Sequence, residues 1–97
     1  MITQIVGFLG KDAEVTEKNG KKLMRFNIAE TNKVAGENVT TWVTCFYHNS
    51  ELAQYLKKGK QVFVSGELTV KVYNGNPDLS LHVHSLRMLG RKDDGQE

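Results

Sequence analysis

One cysteine, one proline and one tryptophan are all that these 97 residues contain of three residue types on which many folds depend. A single Cys45 rules out an intrachain disulfide framework and any metal site built from several thiolates. With only Pro77 to interrupt it, the chain is free to form long uninterrupted strands. No run of apolar residues approaches the length of a membrane span, and Met1-Ile2-Thr3-Gln4 lacks the basic and then apolar order of a secretory leader, so a cytoplasmic protein is the expectation. Charge of one sign is scarce too. A formal net charge of +2 does not by itself call for a polyanionic partner, although Arg91, Lys92, Asp93, Asp94 and Glu97 make the end mildly acidic and leave the body slightly more basic than the whole. An apolar content of 39% and a charged content of 25% are those of an ordinary globular domain. The length allows one such domain, expected over residues 1–90, with 91–97 as a short polar tail.

What is present is a run of alternating segments. Ile2 to Leu9 reads as a first strand, bent where Gly7 and Gly10 lack side chains and continuing after a corner at Lys11-Asp12. Asn19-Gly20 is a two-residue hairpin signal, because a type I′ turn needs positive φ at both central positions. In the second strand Met24, Phe26 and Ile28 alternate with Arg25, Asn27 and Ala29, with Lys33 further along the wet face. The pattern lapses from Val34 to Asn38, which reads as a loop. A third strand from Thr41 to His48 has aromatics on both sides. Val43 and Cys45 mark the core side, so Trp42 and Phe46 face outward, an unfavourable placement unless something covers them.

Asn49 or Ser50 is placed to cap a short helix of roughly two turns, with Leu52, Ala53, Tyr55 and Leu56 at helical spacing and Gly59 at its end. Lys57 and Lys58 there either complement the helix dipole or meet phosphate. Val62, Val64, Gly66, Leu68, Val70 and Val72 then alternate with Phe63, Ser65, Glu67, Thr69, Lys71 and Tyr73, a strand long enough to be shared between two sheets. After a turn at Asn74-Gly75, Leu79, Leu81 and Val83 resume the core alternation in a last strand through Leu89. Three strands, one short helix and two strands suit an all-β fold, the five-stranded Greek-key barrel of the OB type, with the helix between strands 3 and 4.

Several segments resemble the bacterial single-stranded DNA-binding protein family. Gly7-Phe8-Leu9-Gly10-Lys11-Asp12-Ala13-Glu14 is similar to its first strand and corner, and Phe26-Asn27-Ile28-Ala29 to its second strand. Glu51 to Gly59, followed by Gln61 to Leu68, resembles its helix and fourth strand in unbroken order. The resemblance implies base stacking at Trp42 and Tyr73, and at His48, where the family commonly has another aromatic. It also implies a homotetramer or homodimer. Val34 stands where the family often has a further tryptophan. The family's long linker with an acidic tip has no counterpart in Arg91 to Glu97, which makes recruitment of repair proteins through a tail doubtful.

The site expected on single-stranded DNA comprises Trp42, Phe46, His48 and Tyr73 as stacking platforms, with Arg25, Lys33, Lys58 and Lys71 attracting the backbone. Phe46 has the alternative of packing inward or at an interface, and Arg25 and Lys71 that of ordinary solvated positions. A three-imidazole metal site of His48, His82 and His84 finds no supporting carboxylate, so neither metal nor cofactor is expected. No serine, cysteine or carboxylate pair falls in a catalytic motif, so no enzyme is expected either. A small primosomal replication protein of OB fold and a purely structural oligomerisation domain remain the competing readings.

Overall fold

A computed structural model describes residues 1–89; the polar tail expected at 91–97 lies outside the described residues. Six strands form in order: β1 (Ile2–Leu9), β2 (Glu14–Lys18), β3 (Lys21–Val34), β4 (Glu37–Tyr47), β5 (Gln61–Tyr73) and β6 (Asn76–Met88), with a 3-10 helix at Ser50–Gln54 between β4 and β5. They hydrogen-bond in the order β1-β5-β6-β4-β3-β2, and a further pairing of β1 with β3 closes the sheet on itself.

β1 and β2 are two halves of the single bent first strand expected from the sequence. Both run antiparallel along the same edge of β3, with Leu9 opposite Ile28 and Glu14 opposite Arg25. Between those two pairs the first strand spends more residues than β3, and the excess is the corner at 10–13. The corner is held from both sides, Gly10 donating its N–H to the Asn27 carbonyl and Ala13 to that of Leu56. With β1 and β2 taken as one strand, the barrel has five, and it is an OB-fold.

The core follows the alternation. Ile5 and Leu9 of β1, Met24, Phe26 and Ile28 of β3, Val43 and Cys45 of β4, Val62 and Val64 of β5, and Leu81 and Val83 of β6 are buried together with Leu56. Burial pushes the Cys45 thiol from its ordinary 9.0 up to about 12, because ionising it would leave a charge unsolvated.

Two expectations need correction. The segment from Val34 to Asn38 is not a loop, because β3 runs to Val34 and β4 begins at Glu37. Only Ala35 and Gly36 lie between them, both at positive φ (54° and 84°), the same two-residue turn that Asn19-Gly20 and Asn74-Gly75 make. Alanine rarely adopts that conformation, which is why composition did not announce the hairpin.

The helix is shorter than expected. Asn49 caps it, its side chain accepting the Glu51 N–H at 3.1 Å, but the bonds that follow are i to i+3, from Tyr55 to Leu52 and from Leu56 to Ala53. Tertiary partners take the groups a second turn would have used. The Leu56 carbonyl accepts from Ala13, and Lys58 N–H donates to the Asp12 carboxylate at 2.8 Å. Gly59 keeps its positive φ of 87° in the turn that follows.

β5 is shared as expected, pairing with β1 through Glu67 on one side and with β6 along its length on the other. The β5–β6 register shifts at Ser65/Gly66, and a Cβ on Gly66 would lie 1.9 Å from the His82 carbonyl oxygen. Backbone offers no room to yield. Gly66→Ala is therefore expected to destabilise the fold by about 2–4 kcal/mol in urea unfolding, through forced separation of two strands. Cys45 is expected to resist thiol reagents in the native protein and react at once when unfolded. An unfolded thiol ionises near 9.0 and the buried one only at about 12, so its contribution to stability is intact below the first value and is lost as pH rises towards the second.

Candidate nucleic-acid interface

β4 and β6 run parallel, and they pair only at Thr44, Cys45 and Phe46 with Ser80, Leu81 and His82. Because they are parallel, the turns that precede them lie at the same end of the barrel. Two antiparallel hairpin arms therefore extend side by side from this junction, β3–β4 ending at Ala35-Gly36 and β5–β6 ending at Asn74-Gly75. The arms outrun the core, so Val70 and Val72 keep the inward parity yet are 51% and 66% exposed.

The outward positions of β3 and β4 form one ladder: Arg25 opposite Phe46, Asn27 opposite Thr44, Ala29 opposite Trp42, and Lys33 opposite Asn38 near the tip. Across the junction, Thr44 meets Ser80 and Phe46 meets His82. From β6 the surface passes to β5 through Ser80 opposite Thr69, Asp78 opposite Lys71 and Asn76 opposite Tyr73. Strand register thus joins Trp42, Phe46, Arg25, Lys33, Lys71 and Tyr73 on one outward surface. His48 follows directly after β4, exposed, its ring 4.6 Å from that of Tyr47. Lys58 stands outside these registers, exposed in the turn held against the Asp12 corner.

Trp42 is 55% exposed and Tyr73 57%. An indole left half in water forgoes on the order of 2 kcal/mol of burial. Its hidden side lies on Gly10, where a Cβ would come within 2.6 Å and 2.7 Å of two ring atoms. Small Ala29 across the ladder completes the seat. Phe46 also faces outward but is half-buried, its ring tilted against His82 at a centroid separation of 6.1 Å. It offers less open ring than Trp42.

Arg25 lies 3.6 Å from the Glu14 carboxylate, an exposed pair that leaves the guanidinium available, since such contacts contribute little. The amino-terminal ammonium of Met1 pairs with Glu67, two residues from Thr69 on the same face. Its hydrogen bond and charge, with a smaller contribution from His84, hold the Glu67 carboxyl below the usual carboxylate range. The pair also offsets the charge of that carboxylate. Sequence reasoning read Gly10 only as a bend, Asn27 only as a wet-face strand residue and His82 only as a member of a metal site that it set aside. Gly10 and Asn27 lay inside segments already marked as family-like, but nothing in their spacing connects them to Trp42. Among the described residues, no three His, Cys, Asp or Glu side chains gather as a metal site, and no helix is long and apolar enough to cross a membrane.

The sequence model described as the Single-strand binding protein family matches residues 2–89. The chain belongs to that family. Among similar relatives, the single-stranded DNA-binding protein of Chlamydia muridarum is 34% identical over 86 residues, covering 81% of this chain and 55% of the relative. That of Neisseria meningitidis serogroup A is 30% identical over 104 residues, covering 93% of this chain and 60% of the relative. The chain thus spans little more than half the length of these members. In fold it is similar to the small single-stranded DNA-binding protein of Streptomyces coelicolor, with a TM-score of 0.75 at 16% identity, covering 91% of each chain. It is also similar to the Plasmodium falciparum protein solved in complex with single-stranded DNA, with a TM-score of 0.71 at 20% identity and coverage of 92% and 94%.

The seat of Trp42 gives a direct expectation. Gly10→Ala should lift the ring from the corner, because the obstructed atoms are the far end of a side chain and not backbone. Trp42 emission should shift to longer wavelength and become more open to a soluble quencher. Stability should change by under about 1 kcal/mol, in contrast to Gly66→Ala. An unchanged emission spectrum would show that the ring does not rest on Gly10.

Proposed function

We propose that the chain binds single-stranded DNA largely independently of sequence, protecting it in the cytoplasm during replication, recombination and repair, without catalysing a reaction. The observation that carries this is Trp42, seated on Gly10 with its outer side open, in a member of the Single-strand binding protein family. Single strands expose a flat face at every base and a charge at every phosphate, so aromatic platforms with flanking cations bind them without reading base edges. Stacking contributes roughly 1–3 kcal/mol per base. Trp42 and Tyr73 serve as the principal platforms, with Phe46 and His48 as lesser ones. Arg25, Lys33 and Lys71 follow the backbone along the surface, and Lys58 attracts it from the corner.

Binding by one subunit of this size is weak, and β1 supports assembly into a homodimer or homotetramer. Its outward residues Ile2, Val6 and Phe8 are exposed. β1 also pairs with β3 only at Phe8 and Leu9, leaving most of that edge open. The primosomal alternative loses ground, since the relatives described above carry the name single-stranded DNA-binding protein.

Titration of Trp42 fluorescence with an oligothymidylate is expected to quench strongly, with affinity falling as salt rises. The Trp42→Ala, Tyr73→Ala double variant, followed by gel mobility, should lose about tenfold or more in affinity at constant salt. Absence of quenching and of any mobility shift at micromolar protein would overturn the function. Normal binding by the double variant would overturn the site alone.

A further inference from the structure

His82 is an exposed imidazole in the middle of the outward surface. Strand register sets Arg25 of β3 opposite Phe46 of β4, Phe46 opposite His82 of β6, and His82 opposite Glu67 of β5. Phe46 therefore has a guanidinium on one side and an imidazole on the other, each borne by a strand about 5 Å away. The imidazole rests against the phenyl ring, with centroids 6.1 Å apart and planes tilted by 35°. Towards the arms the next row is short-chained, Thr44 opposite Ser80 and Ser80 opposite Thr69. These hydroxyls form a low stretch between Phe46 and Trp42, which lie four residues apart on β4, or roughly 13 Å.

Resting on the reading that single-stranded DNA lies across Trp42 and Phe46, we infer that His82 is a further nucleic-acid-binding residue, whose charged imidazolium contacts the phosphate beside the base on Phe46 and makes affinity depend on pH. A base lying on Phe46 sends its sugar and phosphate off the edge of the ring, and the short side chains of Thr44 and Ser80 let that backbone settle next to His82. A neutral imidazole offers one N–H; a charged one offers two together with a positive charge, and a charged donor holds phosphate more strongly. The groups that face His82 leave this charge to a ligand. Phe46 from β4 is uncharged, and Arg25 beyond it has the same sign and lies beside Glu14. Glu67 is the anion opposite on β5, but its carboxylate is bound to the Met1 ammonium and drawn more weakly to His84. On β6 itself, His84 has the same sign when charged, and Asp78 is opposite Lys71. A phosphate that favours the charged imidazole draws a proton onto it, so by linkage affinity rises as pH falls.

Oligothymidylate is the probe, measured at about pH 6 and about pH 8, on either side of the range in which an imidazole ordinarily gains its charge. Thymine neither gains nor loses a proton over that range, so any response belongs to the protein. At one salt concentration the wild-type protein is expected to bind about threefold more tightly at the lower pH, the size of an exposed charge contact. The slope of log affinity against log salt should steepen there by about 0.7, the share of one further phosphate contact on a single strand. His82→Gln should bind alike at both pH values with the shallower slope, and His82→Lys should hold the steeper slope at both. His48→Gln and His84→Gln should keep the response of the wild-type protein. Each comparison is made within one protein, so a general loss of affinity in a variant does not imitate the result. Equal binding by the wild-type protein at both pH values, or a response that survives in His82→Gln or vanishes in His48→Gln or His84→Gln, would overturn the role of His82 while sparing the stacking site. Failure to bind at either pH, with no quenching of Trp42, would overturn the reading on which that role rests.

Discussion

The short parallel contact between β4 and β6 is what the rest of the molecule depends on. Parallel pairing demands a long connection, and here that connection is the 3-10 helix, the turn at Gly59, all of β5 and the Asn74-Gly75 turn. Once Thr44 to Phe46 lie beside Ser80 to His82, the core residues of both strands face the same interior and both hairpin turns point the same way. An antiparallel contact at the same place would have sent the arms to opposite ends of the barrel. Trp42 and Tyr73 would then not share a surface.

Glycine accomplishes two different things around this contact. At Gly66 the absent side chain lets β5 pass against the carbonyl of His82, so that one strand can bend from its pairing with β1 towards the free arm. At Gly10 the absent side chain leaves space that an indole fills. The first absence serves the backbone and tolerates nothing; the second serves a ring that can swing. The ring is thus held on one side by its own fold and left open on the other.

Much of this was legible from alternation. The parity of Thr41 to His48 put Trp42 outside because Val43 and Cys45 were uniformly small and apolar, and both are buried. Two of the hairpin turns were visible as Asn-Gly, whereas the third escaped because Ala35 is a poor composition signal for positive φ. The helix was overestimated because Leu52, Ala53, Tyr55 and Leu56 satisfy a helical spacing that the backbone does not follow. Ala13 and Asp12, more than forty positions earlier in the chain, claim the hydrogen bonds that would have extended it. Phe46 was placed on the right face, but its partial cover by His82 comes from a strand with which local pattern makes no connection.

The sequence by itself determined which residues face inward, where two of the turns fall and that the sole tryptophan faces outward, because these follow from side-chain period and backbone preference over a few residues. Tertiary structure alone decided which outward residues become neighbours. Closure of the barrel sets Gly10 beneath Trp42, His82 against Phe46 and the two arms side by side, and each of these contacts joins residues far apart in the chain. Local pattern carries a face for every residue but no partner for it. Partners come only when the register of distant strands is chosen, by the single arrangement that buries Met24, Ile28, Leu56, Val62, Val64 and Leu81 completely.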